Sequence, residues 1–432
     1  MLPDGTAEYG YLGNLGPKEF FMQKVKISLS VGVATLIATC FPSSLTAQSK
    51  GIGPNTAKSW KIGTPIVTYY AGPTMTDGVA KQMADGGWNV VWCNEAQLNI
   101  VHHHGLRAML HDELLKPETI DDPTKRAKLD GLIHRVRNHP AMYQYYIIDE
   151  PGVSAFAGLG KLTAYLRLRD PAHSAYINLF PTYASNEQLG TKGDTVTAYR
   201  EYLRQFVNLV NPQIISYDHY HFQIGGKDGD QYFLNLGMIR RCAMDAGVPF
   251  LNIVQACTWD PAHMRVPSGN EMRWLAFTSL AYGAQGLSYY VYSATNHIGG
   301  MVQPDGRPTA IYQAVCPINR DFAAIAGELQ PLRSLGAYHV GPVPLGADGL
   351  PAKAPFRVDA TANVLLGYFG KNGKPTHVVV VNLDYKKPLK TQLIGPGKME
   401  IFQPERKSWS PAGRSTAKLH LPPGGGTLVR TR

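Results

Sequence analysis

Eight short apolar runs recur between residues 64 and 335, and this spacing narrows the fold more than any other feature of the chain. They are Pro65–Tyr70, Trp88–Cys93, Arg107–His111, Gln144–Ile148, Ala175–Leu179, Gln213–Tyr217, Phe250–Val254 and Leu287–Val291. Each is near-continuous in apolar and aromatic residues, as parallel strands buried on both faces should be. Stretches with helical spacing lie between them. In 194–209, Val196, Tyr199, Leu203, Phe206 and Val207 mark one helix face, and Asp194 is placed to cap it. Residues 159–169 and 271–283 also predict helices, and Ile318, Phe322, Ile325 and Leu329 mark a last one. Eight βα units of about 30 to 40 residues predict a (β/α)8 TIM barrel. A doubly wound open sheet is the rival, but no GxGxxG follows the first strand, which argues against a dinucleotide fold.

From about residue 352 the pattern changes to short strands separated by turn signals such as Lys371-Asn372-Gly373-Lys374 and Pro422-Pro423-Gly424. The runs 363–368, 377–382, 390–394, 399–402, 418–421 and 427–430 predict a small antiparallel β-sandwich. The domain layout is therefore a leader over 1–49, the barrel over 50–340, a Gly- and Pro-rich linker over 341–355 and the sandwich over 356–432.

The leader reads as a secretory signal peptide. Lys24 and Lys26 precede the apolar run 27–41, and a small polar stretch ends at Ala47. The preceding 21 residues do not resemble a signal n-region, which makes Met22 the expected start and places the protein in the periplasm or outside the cell. The apolar run is too short and too broken for a membrane span, so none is expected after signal removal. Cys40 would leave with the signal. Cys93, Cys242, Cys257 and Cys316 remain, too widely spaced for a zinc knot; either one disulfide or four buried thiols fits. The net charge is +10, with Lys and Arg scattered and no run of five or six like charges. That balance admits an anionic partner, while no nucleic-acid motif is present.

Barrel chemistry sits at the C-terminal ends of the strands. Glu95 follows strand two, and His111 ends strand three. Asp149 and Glu150 follow strand four, and Asn178 and Tyr183 strand five. Asp218, His219 and Tyr220 follow strand six; Gln255, Trp259 and later Glu271 follow strand seven; Tyr292 follows strand eight. Aromatic faces stack on pyranose rings and carboxylates bond hydroxyls, so this rim suits a sugar. Glycoside hydrolysis needs two carboxyls flanking the scissile bond, one of them protonated near neutral pH. A Glu at a strand tip beside another acid has its pKa raised by desolvation and like charge, which Glu150 beside Asp149 fits. The plain alternative is that Glu150 caps the helix after Gly152. Glu271, after Ser268-Gly269-Asn270, has the same alternative as a first-turn acid.

Two pieces of this chain resemble clan A barrel glycoside hydrolases. Asp149-Glu150-Pro151 stands where that clan carries its strand-four acid/base Glu, usually after Asn and often before Pro. The segment 272–292, MRWLAFTSLAYGAQGLSYYVY, is similar to the helix-seven-to-strand-eight segment of the family-42 β-galactosidases. The resemblance implies an O-glycosyl hydrolase acting on an oligo- or polysaccharide without a cofactor, with Glu150 as the acid. It departs at strand seven, where the clan's nucleophilic Glu is matched by Gln255, and an amide cannot form a glycosyl ester. The second carboxylate is then Glu271 or Asp218, with Asp149, Glu95, His111, Asn178, Tyr183, His219, Tyr220, Gln255, Trp259 and Tyr292 around the sugar. The alternatives are a carbohydrate-binding barrel without catalysis, and a lyase or transglycosidase on the same scaffold.

His102-His103-His104 invites a metal reading, but adjacent residues cannot all point at one ion, and His111 with Asp112 lacks partners at ligand spacing. No metal is expected, and no phosphate loop, serine elbow or Cys–His signature is present. N-terminal sequencing of the exported protein should begin at Gln48; a first residue upstream of Met22 would overturn the signal reading.

Overall fold

The computed structural model describes residues 65–432 apart from Lys227 and Ala360. The leader, its cleavage after Ala47 and Cys40 lie outside the described residues. All eight expected strands form: β1 (Ile66–Tyr70), β2 (Val90–Cys93), β3 (Arg107–Leu110), β4 (Met142–Asp149), β5 (Ser174–Leu179), β6 (Ile215–His219), β7 (Phe250–Gln255) and β8 (Gly286–Tyr290). Neighbours pair in parallel around the barrel, and β8 returns to β1 from Gly286 opposite Ile66 to Tyr290 opposite Tyr70. The seam between β1 and β2 is closed by Asn89. Its backbone N–H donates to Val67 O at 3.0 Å, its Oδ1 accepts from Val67 N at 2.8 Å, and its Nδ2 donates to Pro65 O at 2.6 Å.

Period-two alternation divides each strand between two cores. Ile66, Val90, Met109, Tyr176, Ile214, Leu251 and Ile253 fill the lumen, and Tyr70, Trp92, Tyr146 and Tyr290 pack against this set. Val67, Tyr69, Val91, Cys93, Leu110, Tyr145 and Ile177 belong to the shell core with the helices. The helix Thr195–Val210 is capped by Asp194, whose carboxylate accepts from Thr197 N at 2.9 Å, and it buries Tyr199, Leu203 and Phe206 as its spacing requires. Helices Val153–Arg169, Gly269–Tyr282 and Ala310–Leu329 complete the units the sequence marks. The four cysteines of the described region are free thiols. No described helix is long and apolar enough to cross a membrane.

The C-terminal strands are β9 (Arg333–Val340), β10 (Val364–Lys371), β11 (Lys374–Asn382), β12 (Leu389–Gln403), β13 (Ser408–Leu421) and β14 (Gly426–Thr431). They pair antiparallel in the order β9-β10-β11-β14-β12-β13, and the short Asp348–Gly349 segment lies parallel to β9. The boundary at residue 340 corrects here: Arg333–Val340 belongs to this sheet rather than to the barrel, and Asp348–Gly349 puts a piece of the linker into it. The expected runs 390–394 and 399–402 are one strand whose pairing breaks between Ile394 and Lys398. Before that break, in the paired stretch 389–394 with 416–421, Leu393, Leu419 and Leu421 join Val364, Leu366, Val380 and Val429 in a second core. This second layer makes the domain a small sandwich. The opposite face, with Leu365, Phe369, Val379, Val381 and Leu428, merges with the barrel core. Val378–Val381 can therefore be apolar throughout, because both faces are covered.

The sheet sits on helix Gly269–Tyr282 at very short range. A Cβ on Gly367 would lie 2.1 Å from Ala281 O, which makes a side chain at this position incompatible with the packing. Arg273 Nη1 donates to Pro423 O at 3.1 Å, and Trp409 Nε1 donates to Glu328 Oε2 at 3.2 Å. Gly367→Ala should therefore cost about 1–3 kcal/mol as overpacking. Thermal denaturation checks it: an unchanged melting temperature would show that the two layers slide apart freely.

Candidate functional site

The site begins with a bulge. Tyr146 pairs with Tyr176, but the next pair is Ile148 with Ile177, so Ile147 is an extra residue in β4. A bulge re-aims the residues that follow it. Tyr146 faces the lumen, Ile147 turns to the outer core, and Asp149, rather than Ile148, comes back to the inside opposite Asn178. Glu150 follows with φ of 45°, a left-handed conformation unusual for a side chain other than Gly, and its N–H donates to Asn178 O at 2.9 Å. The N-cap of the next helix is Gly152, which makes no side-chain cap, so Glu150 is not the cap of that helix.

Asn178 ties the acids together. Its Nδ2 donates to Asp149 Oδ1 and to Asp218 Oδ1, each at 2.9 Å, while its Oδ1 accepts from Ser216 Oγ at 3.0 Å. Tyr176 OH lies 2.8 Å from Ser216 Oγ, which extends the chain beneath the carboxylates. Asp218 is 3% exposed. Burial, reinforced by the charge of Asp149, pushes its pKa up to about 7, against the bonds from Asn178 and Tyr220 that favour the anion. Glu150 is part of the same electrostatic field. Its charge and that of Asp218 both act on the hydroxyls of Tyr183 and Tyr220, although burial is the larger cause of the raised pKa of each.

Aromatic rings wall this cluster. Trp92 packs against Tyr146 at 4.5 Å and Tyr70 at 4.9 Å between ring centroids. On the other side Tyr220, Trp259 and Tyr290 meet pairwise at 5.0 to 5.3 Å. Trp259 and Tyr183 are each 42% exposed, so they present faces at the mouth. Trp92 Nε1 is buried without a hydrogen-bond partner among the described residues. His219 is buried, and burial lowers its pKa to about 3, so it is neutral. Its Nδ1 lies 3.0 Å from Asn235 Oδ1, which also accepts from Thr182 N at 3.0 Å, and this fixes the proton on Nδ1.

The structure thus gathers Asp149, Glu150, Asn178, Tyr183, Asp218, His219, Tyr220 and Trp259. Other expected residues have different work. Glu271 is a correction: its Oε1 pairs with Arg265 Nη1 at 2.6 Å and its Oε2 accepts from Ser268 N at 2.7 Å, so it is the first-turn acid of a capping box. Gln255 is a second: Oε1 accepts from Phe222 N at 2.8 Å, and Nε2 donates to Phe222 O and Arg265 O. The amide is fully spent on pinning the loop after β6. Tyr292 is a third: it is buried against Tyr69 and Trp88, with its hydroxyl donating to Gln82 Oε1 at 2.9 Å, because it lies past the end of β8 on the outer side. Glu95 is clamped by Arg135 at 2.6 and 2.9 Å. His111 stands exposed just past the end of β3.

Tyr70, Trp92, Tyr146, Tyr176 and Ser216 also belong to this site and are not among the residues expected from the sequence. Each is a late inward position of its strand, so period-two counting from the lumen residues would have found them. Away from the mouth, ligand atoms of Asp77, His103 and His104 lie within 4.8 Å of one another, with His104 Nε2 2.7 Å from Asp77 Oδ1. Two of the three adjacent histidines converge there, and His102 does not join them.

Asp218 should make stability depend on pH. The unfolded chain releases this proton near pH 4 (about 3.9 for an ordinary Asp), whereas the folded chain keeps it to about 7. Stability contributed by the protonated group is full below 4 and is lost as pH rises through 7. Asp218→Asn should therefore melt a few degrees above the parent at pH 8 and close to it at pH 4; a gap independent of pH would remove the buried proton from the account.

No protein-family model matches the chain, and no curated protein matches it in sequence. Among solved structures it is similar to the β-galactosidase from Bacillus circulans sp. alkalophilus, with 8% identity over 85% of this chain and 99% of that one and a TM-score of 0.56. It also matches the β-galactosidase from the psychrophilic Marinomonas ef1 at 12% identity and TM-score 0.45, over 64% of this chain and 63% of that one. A family 30 xylanase from Clostridium acetobutylicum matches at 11% identity and TM-score 0.42, over 86% and 96%. At these identities the likeness is one of architecture: the chain has the (β/α)8 barrel found in glycoside hydrolases, followed by a β-sandwich domain.

Proposed function

We propose that the chain hydrolyses O-glycosidic bonds of an oligo- or polysaccharide outside the cytoplasm. The observation that carries this reading is Asn178 Nδ2, bonded at 2.9 Å to both Asp149 and Asp218 in a barrel mouth walled by Tyr and Trp. Hydrolysis needs one carboxyl that holds a proton and one that is ionised. Asp218 suits the first role, because burial and Asp149 hold its pKa to about 7. Glu150 suits the second, stabilising the cationic transition state from the strand-four position. This gives the proton to the opposite member of the pair from the one the resemblance suggests. Asp149 keeps Asn178 aligned and raises Asp218; Trp259 and Tyr183 offer exposed ring faces to the sugar. One specific observation favours the second reading, binding without cleavage: the strand-seven tip carries an amide, Gln255, with every hydrogen-bonding group committed to backbone.

A panel of aryl glycosides and polysaccharides separates the two. Glu150→Gln and Asp218→Asn should each lower kcat by about 10²-fold or more. Activity of the parent should fall as pH rises through about 7, where Asp218 loses its proton. Asp149→Asn removes the like charge and should move that alkaline limb to lower pH. Near-parental turnover by Glu150→Gln would overturn the carboxyl assignment, an unmoved limb in Asp149→Asn would remove Asp218 as the acid, and binding with no cleavage across the panel would favour the second reading.

A further inference from the structure

The chain's positive charge is not spread evenly. Residues 356–432 hold thirteen Lys and Arg against four Asp and Glu, a net of +9 out of the whole chain's +10. Three of those four acids are engaged locally. Glu400 is held by Arg430 at 2.8 Å and Arg432 at 3.0 Å, Asp384 accepts from the N–H groups of Lys386 and Lys387, and Asp359 accepts from Thr361. The remaining cations therefore have little compensation within their own domain.

The register of the β12–β13 hairpin collects several of them. Lys390 is opposite His420 and Gln392 opposite Lys418, and all four are exposed while Leu393, Leu419 and Leu421 point to the core. These four share the solvent face, since residues two apart on a strand point the same way. Past the break in pairing, Lys398 stands directly opposite Arg414, both exposed. Like charges directly opposite one another are destabilising. Among the described residues, Lys390, Lys398, Arg414 and Lys418 have no acidic partner. A fold that tolerates this repulsion presents an unneutralised surface to an anion.

The start of this hairpin is tied to the loop after β6. Lys386 and Lys387, both exposed, directly precede the hairpin and follow Tyr385, whose hydroxyl donates to Asp228 on the loop that carries Tyr220. Along the hairpin, Gln392, Thr416 and His420 interleave hydrogen-bonding groups with the cations, as hydroxyl-rich ligands require. The outward positions of this stretch, Lys390, Gln392, Ile394, Thr416, Lys418 and His420, include no Phe, Tyr or Trp, so the face lacks the stacking platform of single-strand nucleic-acid binders.

We propose that the outer face of this hairpin binds an acidic polysaccharide beside the barrel mouth. The choice of a polysaccharide over other polyanions rests on the glycoside-hydrolase reading above. The test compares the full chain with the variant Lys390→Gln/Lys398→Gln/Arg414→Gln/Lys418→Gln by isothermal titration against polygalacturonate, dextran sulfate, neutral galactan and duplex DNA, at low and high salt. The parent should bind one or both acidic polysaccharides, more weakly as salt shortens the screening length. The variant should lose affinity by at least about tenfold, the loss expected from removing several unit-charge contacts. It should keep its melting temperature, because repulsion is relieved, and should turn over a small aryl glycoside like the parent. Equal affinity of parent and variant, or tighter binding of duplex DNA than of either acidic polysaccharide, would overturn the proposal. Charge-dependent polysaccharide binding that the variant loses, in a chain that cleaves no glycoside, would support this surface and sink only the barrel reading.

Discussion

One side-chain amide organises the mouth of this barrel. Asn178 gives one hydrogen to Asp149 and the other to Asp218, so two carboxyl groups that repel one another are held at fixed positions by a shared donor. The amide cannot rotate away, because Ser216 donates to its oxygen and is itself bonded to Tyr176. Burial and the nearby charge of Asp149 raise the proton affinity of Asp218, the condition under which a carboxyl group holds a proton near neutral pH. The geometry rests on the pairing of β5 with β4 and β6, which places Asn178 opposite Asp149 on one side and Ser216 on the other.

Several residues with catalytic credentials turn out to brace that arrangement. Gln255 pins Phe222, and Arg265 joins Glu271 to Asp228, which also accepts from Tyr385 of the sheet domain. These contacts hold the loop after β6, and with it Tyr220, against the second domain. A carboxylate paired with a guanidinium and bonded to a helix-start N–H contributes rigidity to the loop it joins. The barrel and the sheet therefore act as one packed unit, with the shared core running from helix Gly269–Tyr282 into β10 and β11.

Much of the fold is legible in the chain. The eight barrel strands follow from apolar runs at regular intervals, and Asp194, Val196, Tyr199 and Leu203 mark their helix by spacing and cap. Arg333–Val340 was not legible, since Arg333, Gly336 and His339 interrupt its apolar pattern and its partner β10 lies more than twenty residues on. At the site, Asp149, Glu150, Asn178 and Asp218 were visible as polar residues at strand ends. Their inward or outward direction was not, because a single bulged residue at Ile147 inverts the alternation and is recorded only in the pairing of β4 with β5. Gln255 looked available because its partner Phe222 is distant in the chain and offers only backbone groups, and Glu271 because a sequence gives no sign that Arg265, six residues before it, folds back onto its carboxylate.

The order of strands, the polar residues at their tips and the excess of positive charge are all settled by the order of amino acids, because they depend on local pattern and composition. Tertiary structure decides which acids meet, which are neutralised, and where charge accumulates. Asp149 and Asp218 lie far apart in sequence and come together only through Asn178. Scattered lysines become a surface only when hairpin register places Lys390 and Lys418 on one face and Lys398 against Arg414. Pairing between distant segments sets both outcomes, and no local pattern of residues encodes it.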